Sequence, residues 1–527
     1  MAGGALSTEP EPRSLASLLD GAVAANADGL AYRFGDDDVT YAELDRIAGH
    51  IARNLLATGL VPGDRVAMFM PNCLETAFVY LGCFRAGLLC VPVNHRDIDR
   101  EVEYALRQSR TNAFIVHEEL FDRVRDLPYG DLGLDRRWVV GDGDAARGWR
   151  PFIDLLVPEP ADAPALVPVE PSADAVMIYT SGTTGNPKGV VWTHGALARL
   201  ADVMVGLFDF DDGTVQALPT PITHIGGLSH MLTAVSAGAT NVIVESTDPV
   251  LVLSTIGRYG VHGMLLLPTG LDELVEVDEH DRHDLSTLRW VACGGDKVPL
   301  ELHRRFEEIL GWQVTEGIGM TECSHYASNP PFGEKRIGSV GRATGRREIR
   351  IVDHNGDDVP IGKTGEIVLR SPAQMDRYWD NPEGTAATLR DGWLHTGDLG
   401  RLDADGFLWF MGRSKELIVR AGSNIVPQEV EEVLYRHPAV HLACVVGLAD
   451  PHLGETVEAY VSLVEREDPA PTGDDLRAFV ADRIASYKVP DHVIVLPTMP
   501  RNHTGKVDRH ALEQQIVSDA AGLPAVG

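Results

Sequence analysis

At 527 residues the chain is long enough for two or more domains with sizeable cores, and its 44% hydrophobic and 23% charged content suit a globular protein. A formal net charge of -31 excludes nucleic acid or an anionic membrane face as the expected partner, since both reward basic patches. Six cysteines without a CxxC pair (Cys73, Cys83, Cys90, Cys293, Cys323 and Cys444) exclude a disulfide framework or a structural zinc site, and predict reduced thiols in a cytoplasmic protein.

The opening "MAGGALSTEPEPRS" lacks the apolar run of a signal peptide and reads as a disordered tail. "RVAMFM" (65–70) predicts a strand. "CLETAFVYLGCFRAGLLCVPV" (73–93) is interrupted by Arg85 and Pro92, so it predicts a buried helix running into a strand, with no transmembrane segment. "EVEYALRQSR" (101–110) predicts a helix, and "PEPADAPALVPVEP" (158–171) a linker-like loop. The strands "NVIVES", "HGMLLLPTG" and "RWVACGGD" follow, with "PLELHRRFEEIL" (299–310) as a helix. Alternating strands and helices favour an α/β architecture with largely parallel sheets. After about residue 340 the texture changes: "REIRIVD", "GEIVLRS" and "GFLWFMG", separated by Asp/Asn-Gly turns, predict short antiparallel strands. A second change near Arg413 predicts a small α+β domain from 415 to the end, including a helix in "GDDLRAFVADRI".

One stretch carries a chemical signal of its own. In "MIYTSGTTGNPKGVVWTHG" (177–195), Thr180, Ser181, Thr183 and Thr184 offer four hydroxyls within five residues, and Gly182, Gly185 and Gly189 let the backbone bend around an anion. It is not a Walker loop, because Lys188 sits between Pro187 and Gly189 instead of following Gly in Gly-Lys-Ser/Thr. From these residues alone, an anion cradle and a polar turn after a strand both stand. Cys293 has no evident base nearby in sequence and reads as a small buried residue.

Four further motifs follow in order: "EGIGMTE" (316–322), "DGWLHTGDLG" (391–400), "GFLWFMGRSKELI" (406–418) and "PRNHTGKVDR" (500–509). Together with the Thr/Gly loop they make the chain, over roughly residues 30–512, resemble the adenylate-forming superfamily of acyl-CoA synthetases, luciferases and peptide-synthetase adenylation domains. The resemblance is nearest to fatty acyl- and aryl-CoA ligases.

The resemblance implies a large N-terminal domain (1–414) of two stacked α/β subdomains and a small antiparallel β subdomain, followed by a small mobile α+β lid (415–527). It implies ATP and Mg²⁺ as cofactors and CoA as co-substrate. A carboxylic acid would attack the α-phosphate to give acyl-AMP and pyrophosphate, and a thiol would then expel AMP. An acyl carrier protein is the alternative acceptor, and an unusual acid or acceptor stays open.

By the same resemblance, Thr180, Ser181, Gly182, Thr183, Thr184, Gly185 and Lys188 would cradle the β- and γ-phosphates. Glu322 would hold Mg²⁺, with Thr321 near the α-phosphate. Gly294, Gly295 and Asp296, in "ACGGDKVP" (292–299), would pack on adenine together with Glu316, Ile318 and Gly319. Asp398 and Arg413 would hold the ribose. Lys506 would bridge the carboxylate and the α-phosphate, Lys415 would be the hinge, and Gly422 would face the thiol tunnel. His224, Gly226, Gly227 and His325 would line the acid pocket.

Three departures from the family pattern stand out. Ile318 replaces a common Tyr, Ala421 and Ser423 replace Gly and Glu, and Thr223 and Gly226 replace typical aromatics. The Gly226–Gly227 pair reads either as an opened pocket or as a backbone accommodation.

Overall fold

The computed structural model describes residues 12–141, 148–180, 187–464, 470–501 and 506–520, with side chains described as far as 514. The "SGTTGN" segment, and with it Ser181, Gly182, Thr183, Thr184 and Gly185, lies outside the described residues, as does most of the predicted N-terminal tail.

Two large sheets dominate. The first has nine strands in the order Arg342–Ala343, Ser324–Ser328, Thr315–Met320, Trp290–Cys293, Gly263–Leu266, Val215–Leu218, Thr240–Ile243, Leu30–Phe34 and Asp37–Thr40. The second has eight: Arg377–Tyr378, Lys188–Thr193, Asp174–Thr180, Leu89–Val93, Arg65–Phe69, Ala113–His117, Arg137–Val140 and Arg150–Pro151. Their centres are parallel, and antiparallel strands close the edges, as between Thr315–Met320 and Ser324–Ser328.

Central strands of this kind must be apolar on both faces, because helices cover each side. Strand Arg65–Phe69 illustrates it: Val66 and Met68 enter the core shared by the two sheets, while Ala67 and Phe69 face outward into a second core. Helices Leu15–Asn26, Tyr41–Ala57, Leu74–Ala86, His194–Phe208 and Ile225–Ala237 fill the shared layer. Helices Pro249–Tyr259, Pro268–Glu276 and Leu300–Leu310 cover the outer face of the first sheet.

The 73–93 segment folds as its sequence predicts, with helix Leu74–Ala86 ending at left-handed Gly87 and strand Leu89–Val93 following. Among the described residues no helix is long and apolar enough to cross a membrane. All six cysteines are free and buried. Burial pushes the Cys293 thiol well up, as suits a packed thiol.

A five-stranded antiparallel sheet follows, with Glu348–Val352, Gly365–Arg370, Trp393–Leu402 and Leu389–Arg390 in order and Leu408–Arg413 paired to the long third strand. The last sheet contains Ser423–Ile425, Ile418–Arg420, Gly454–Leu463 and Val440–Asp450, and His492–Val495 joins Gly454–Leu463 in parallel. Helices Pro427–Tyr435 and Gly473–Ala481 complete its separate core. The second of these opens on a capping box between Thr472 and Asp475.

Candidate active site

Parallel strands place functional groups at their carboxyl ends, where the chain leaves the sheet. Trp290–Cys293 ends at Gly294, and Thr315–Met320 ends at Thr321. The turn after Met320 is tight: Met320 pairs with Ser324, and Ser324 is left-handed (φ 52°). A Cβ on Gly319 would lie 2.5 Å from the Ser324 carbonyl oxygen, so only glycine admits this approach. The turn is clamped from outside. Trp192 Nε1 donates to the Thr321 carbonyl at 2.9 Å, Met375 N to the Glu322 carbonyl at 2.7 Å, and Arg347 Nη2 to the Cys323 carbonyl at 3.0 Å. Arg347 is itself buried, and burial lowers its pKa to about 10.

Glu322 therefore sits as a held, 6%-exposed carboxylate. The Tyr378 hydroxyl donates to its Oε1 at 2.6 Å. Burial raises its pKa, opposed first by that hydrogen bond and more weakly by the charges of Lys188 and Arg413. Lys188 opens a strand paired to Thr180, and its Nζ lies 4.7 Å from the Tyr378 ring centroid. Lys188, at one end of the Thr/Gly loop, thus reaches the Glu322 turn through Tyr378. Nothing in the sequence reading singled out Tyr378, Trp192 or Arg347; the aromatic pair in "DRYWDNPEG", just before a Pro-started helix, was the available signal.

Asp398 and Arg413 are cross-strand partners, with Arg413 Nε 3.4 Å from Asp398 Oδ1. Burial raises Asp398 to about 6 against the pull of Arg413, and the Tyr326 hydroxyl donates to its Oδ2 at 3.4 Å. Lys506, far away in sequence, reaches across to donate to the Gly295 carbonyl. Burial lowers its pKa, Asp296 counters this, and Arg413 adds to it. Lys506, Asp296, Asp398 and Arg413 accordingly share one electrostatic neighbourhood.

The Glu316 side chain is engaged within the protein. It is 1% exposed, its Oε1 accepts from Val298 N at 3.2 Å, and His303 Nε2 stands 3.0 Å from its Oε2. The carboxylate is spent on holding the 294–299 loop against helix Leu300–Leu310. Asp296 is exposed and accepts from Lys297 N at 2.9 Å, and Ile318 pairs with Ala327 across the edge of the first sheet.

His224 is the residue before helix Ile225–Ala237, and His325 is buried, lowered by burial to about 4 and hence neutral. The two adjacent glycines differ. A Cβ at Gly227 would stand 2.3 Å from the Pro221 carbonyl oxygen, so this glycine serves a backbone crossing. At Gly226 a Cβ would meet only Leu265 Cδ2, at 3.1 Å. Lys415 is exposed in the short turn Ser414–Glu416. Gly422 (φ 79°) and Ala421 (φ 48°) form the two-residue turn joining strands Ile418–Arg420 and Ser423–Ile425. Positive φ at both positions suits a type I′ hairpin, which explains why glycine is the easier residue at 421.

Besides the Lys506 contact, four ion pairs among the described residues join the last α+β unit to the rest: His441–Asp272 at 2.6 Å, His441–Glu276 at 4.0 Å, Lys297–Glu432 at 3.5 Å and Arg501–Glu273 at 3.6 Å. Arg305 also faces Asp272 and Glu276 from helix Leu300–Leu310. The hydrogen bond to Asp272 raises His441, while burial opposes it. A raised histidine keeps its charged contact at and below its ordinary value near 6.5 and loses it as pH climbs through the raised value. A fluorescence-transfer pair across this junction is therefore expected to report weaker docking on going from about pH 6 to about pH 9. Asp272→Asn should flatten most of that response; a flat response in the parent would count against the contact's contribution.

The family model described as AMP-binding enzyme matches residues 19–379, and that for the AMP-binding enzyme C-terminal domain matches 429–506. The fatty acid–[acyl-carrier-protein] ligase ScoC of Streptomyces coeruleorubidus is 32% identical over 492 residues, covering 92% of each chain. The feruloyl-CoA synthase of Amycolatopsis sp is 35% identical over 484 residues, covering 90% of this chain and 94% of that one. The crystal structure of the anthranilate CoA ligase AuaEII in complex with anthranoyl-AMP superposes with a TM-score of 0.90 at 27% identity, covering 98% of this chain and 99% of that one.

Proposed function

The chain belongs to the AMP-binding enzyme family, and from that premise we propose that it is an ATP-dependent, AMP-forming acid–thiol ligase with CoA as acceptor. A carboxylate is a poor electrophile, and linking it to AMP supplies a leaving group. The carboxylate oxygen attacks the α-phosphorus, the bond to the β-phosphate oxygen breaks, and pyrophosphate leaves. The thiol sulfur then attacks the acyl carbon, AMP departs with the bonding electron pair, and the thiol proton is lost to solvent.

The observation that carries this reading is that groups drawn from four separate motifs share one electrostatic neighbourhood: Lys506 at the Gly295 carbonyl feels Asp398 and Arg413, and the charge of Arg413 also acts on Glu322. Lys506 Nζ supplies a cation where the carboxylate and the α-phosphate would bring two anions together. Asp398, when ionised, accepts two hydroxyl hydrogen bonds, as a ribose requires. Arg413 keeps that carboxylate charged against its burial. Thr180 and Lys188 flank the proposed phosphate loop. The buried oxygen donors of Glu322 fit Mg²⁺, a hard cation that binds through one or two carboxylates and substrate phosphates. Mg²⁺ bound there would neutralise phosphate charge during the transfer.

We place the hinge at Lys415, between the ribose partner Arg413 and the first strand of the last sheet, which makes 1–414 and 415–527 the two working units. Gly422 would face the thiol in the second orientation. Six buried free thiols suit a reducing, cytoplasmic setting. Loading a carrier protein's phosphopantetheine is the second reading, favoured by the likeness to ScoC. Acidic residues outnumber basic ones from residue 415 onward, which disfavours docking of an acidic carrier. Supplying CoA and a carrier protein in separate assays distinguishes the two acceptors.

The opening at Gly226 makes a selectivity test. Gly226→Trp is expected to shift preference toward shorter acids while the ATP requirement persists, because the indole would fill the space bounded by Leu265. Relative rates across an acid series measure it. A folded variant with the parent's profile would place Gly226 outside the pocket.

A further inference from the structure

Helix Ile225–Ala237 turns Gly226, Ser229 and His230 to one side, since residues three and four apart share a helix face. That side meets strand Ser324–Ser328. The Ser229 and Ser324 hydroxyl oxygens are 3.5 Å apart, and the His230 and His325 rings meet edge-on with centroids 5.7 Å apart. His230 is 1% exposed, and its ring also packs against Phe208 and Trp290.

A chain of amides fixes which nitrogen of His230 carries the proton. Asn241 Nδ2 donates to the Met231 carbonyl at 3.2 Å, so Asn241 Oδ1 is the acceptor for Gln216 Nε2 at 2.8 Å. Gln216 Nε2 also donates to the His230 carbonyl at 2.6 Å. Both of its hydrogens are then used, and Gln216 presents Oε1 to His230 Nδ1 at 3.3 Å. An amide oxygen only accepts, so Nδ1 holds the proton. Burial, with His325 beside it, holds His230 well below the ordinary histidine range and keeps the ring neutral. Nε2 is left as a bare acceptor, and no described residue donates to it. A buried acceptor without a donor costs stability, and such groups in folded proteins usually have a reason.

We propose that the inner end of the acid pocket reads a hydroxyl group on the substrate acid, its O–H donating to His230 Nε2 beside His325, Ser229 and Ser324. This rests on the ligase reading and on entry of the acid past Gly226, one helical turn above His230. The class implied is a hydroxylated carboxylic acid, aryl or alkyl, with the hydroxyl distant from the carboxylate. An acid of the same shape without the hydroxyl excludes solvent yet leaves Nε2 unpaired, the kind of mismatch that gives strong discrimination.

The test uses acid-dependent pyrophosphate exchange on matched pairs, such as 4-hydroxycinnamate against cinnamate and ω-hydroxyalkanoates against alkanoates of graded length. The parent is expected to favour the hydroxylated member of at least one series by roughly 10-fold or more in kcat/KM. Which series responds tells aryl from alkyl. His230→Leu should bring that ratio toward one through loss of rate on the hydroxylated acid. A parent that treats every pair alike overturns the proposal, whether or not the variant folds, and leaves Nε2 to a buried water. A preference that survives in His230→Leu overturns the assignment to His230. Exchange with no acid at all would reject the ligase reading and this proposal with it.

Discussion

Lys506→Ala is expected to lower acyl-AMP formation by roughly 10²–10³-fold, the usual cost of removing one preorganised group that meets developing charge. The side chain donates to the Gly295 carbonyl, and a melting curve of the variant separates loss of chemistry from loss of fold. Burial leaves the ammonium poorly solvated, which lowers its pKa and favours pairing with incoming anions. The same variant should still convert chemically made acyl-AMP and thiol to thioester, if the second half-reaction uses another orientation of the 415–527 unit. Single-turnover assays of each half-reaction measure this. Equal loss of both in a folded variant would remove the lysine from a step-specific role.

Glu322→Gln is the second large effect. It keeps the shape of the side chain and an acceptor for the Tyr378 hydroxyl but removes the charge. With Glu322 as the proposed Mg²⁺ ligand, the substitution should reduce use of Mg-ATP by roughly 10–100-fold or more. Stability should move the other way. Burial raises the Glu322 pKa, so its anion is disfavoured in the folded protein at neutral pH, and a neutral isostere relieves that cost. Reduced exchange at limiting Mg²⁺ with an unchanged or higher melting temperature is the expected pair of results. A lower melting temperature with unchanged exchange would make Glu322 a structural residue.

Much of the architecture was legible because its signals are local. "RVAMFM", "HGMLLLPTG" and "RWVACGGD" became the strands Arg65–Phe69, Gly263–Leu266 and Trp290–Cys293, since short apolar runs bounded by Gly, Pro or Asp suit strands covered on both faces. The change to antiparallel pairing after residue 340 was equally visible in its turns. Helix Leu15–Asn26 was not anticipated, although Ser14 accepts from Ser17 N as a cap and signals its start.

At the site, motif order brought Glu322, Asp398, Arg413 and Lys506 forward, but the groups that hold them come from elsewhere. Tyr378 reaches Glu322 across 56 residues, and Arg347 clamps the same turn from the loop before strand Glu348–Val352. No periodicity encodes such long-range contacts. Gly226 and Gly227 show the same limit, because neighbours identical in sequence separate only when the Pro221 carbonyl and Leu265 are in place. Glu316 belongs here too, since its partner His303 is on the preceding helix.

The claim on which all of this depends is that the Lys506–Glu322–Asp398 cluster joins a carboxylate to the α-phosphate of ATP. ATP–pyrophosphate exchange by the full chain, run with a panel of carboxylic acids and without any acid, tests it most directly. The account predicts exchange that appears only when an acceptable acid is present, with AMP and a thioester formed when CoA is added. ATP turnover indifferent to every acid, or release of ADP and phosphate instead of AMP and pyrophosphate, would contradict it.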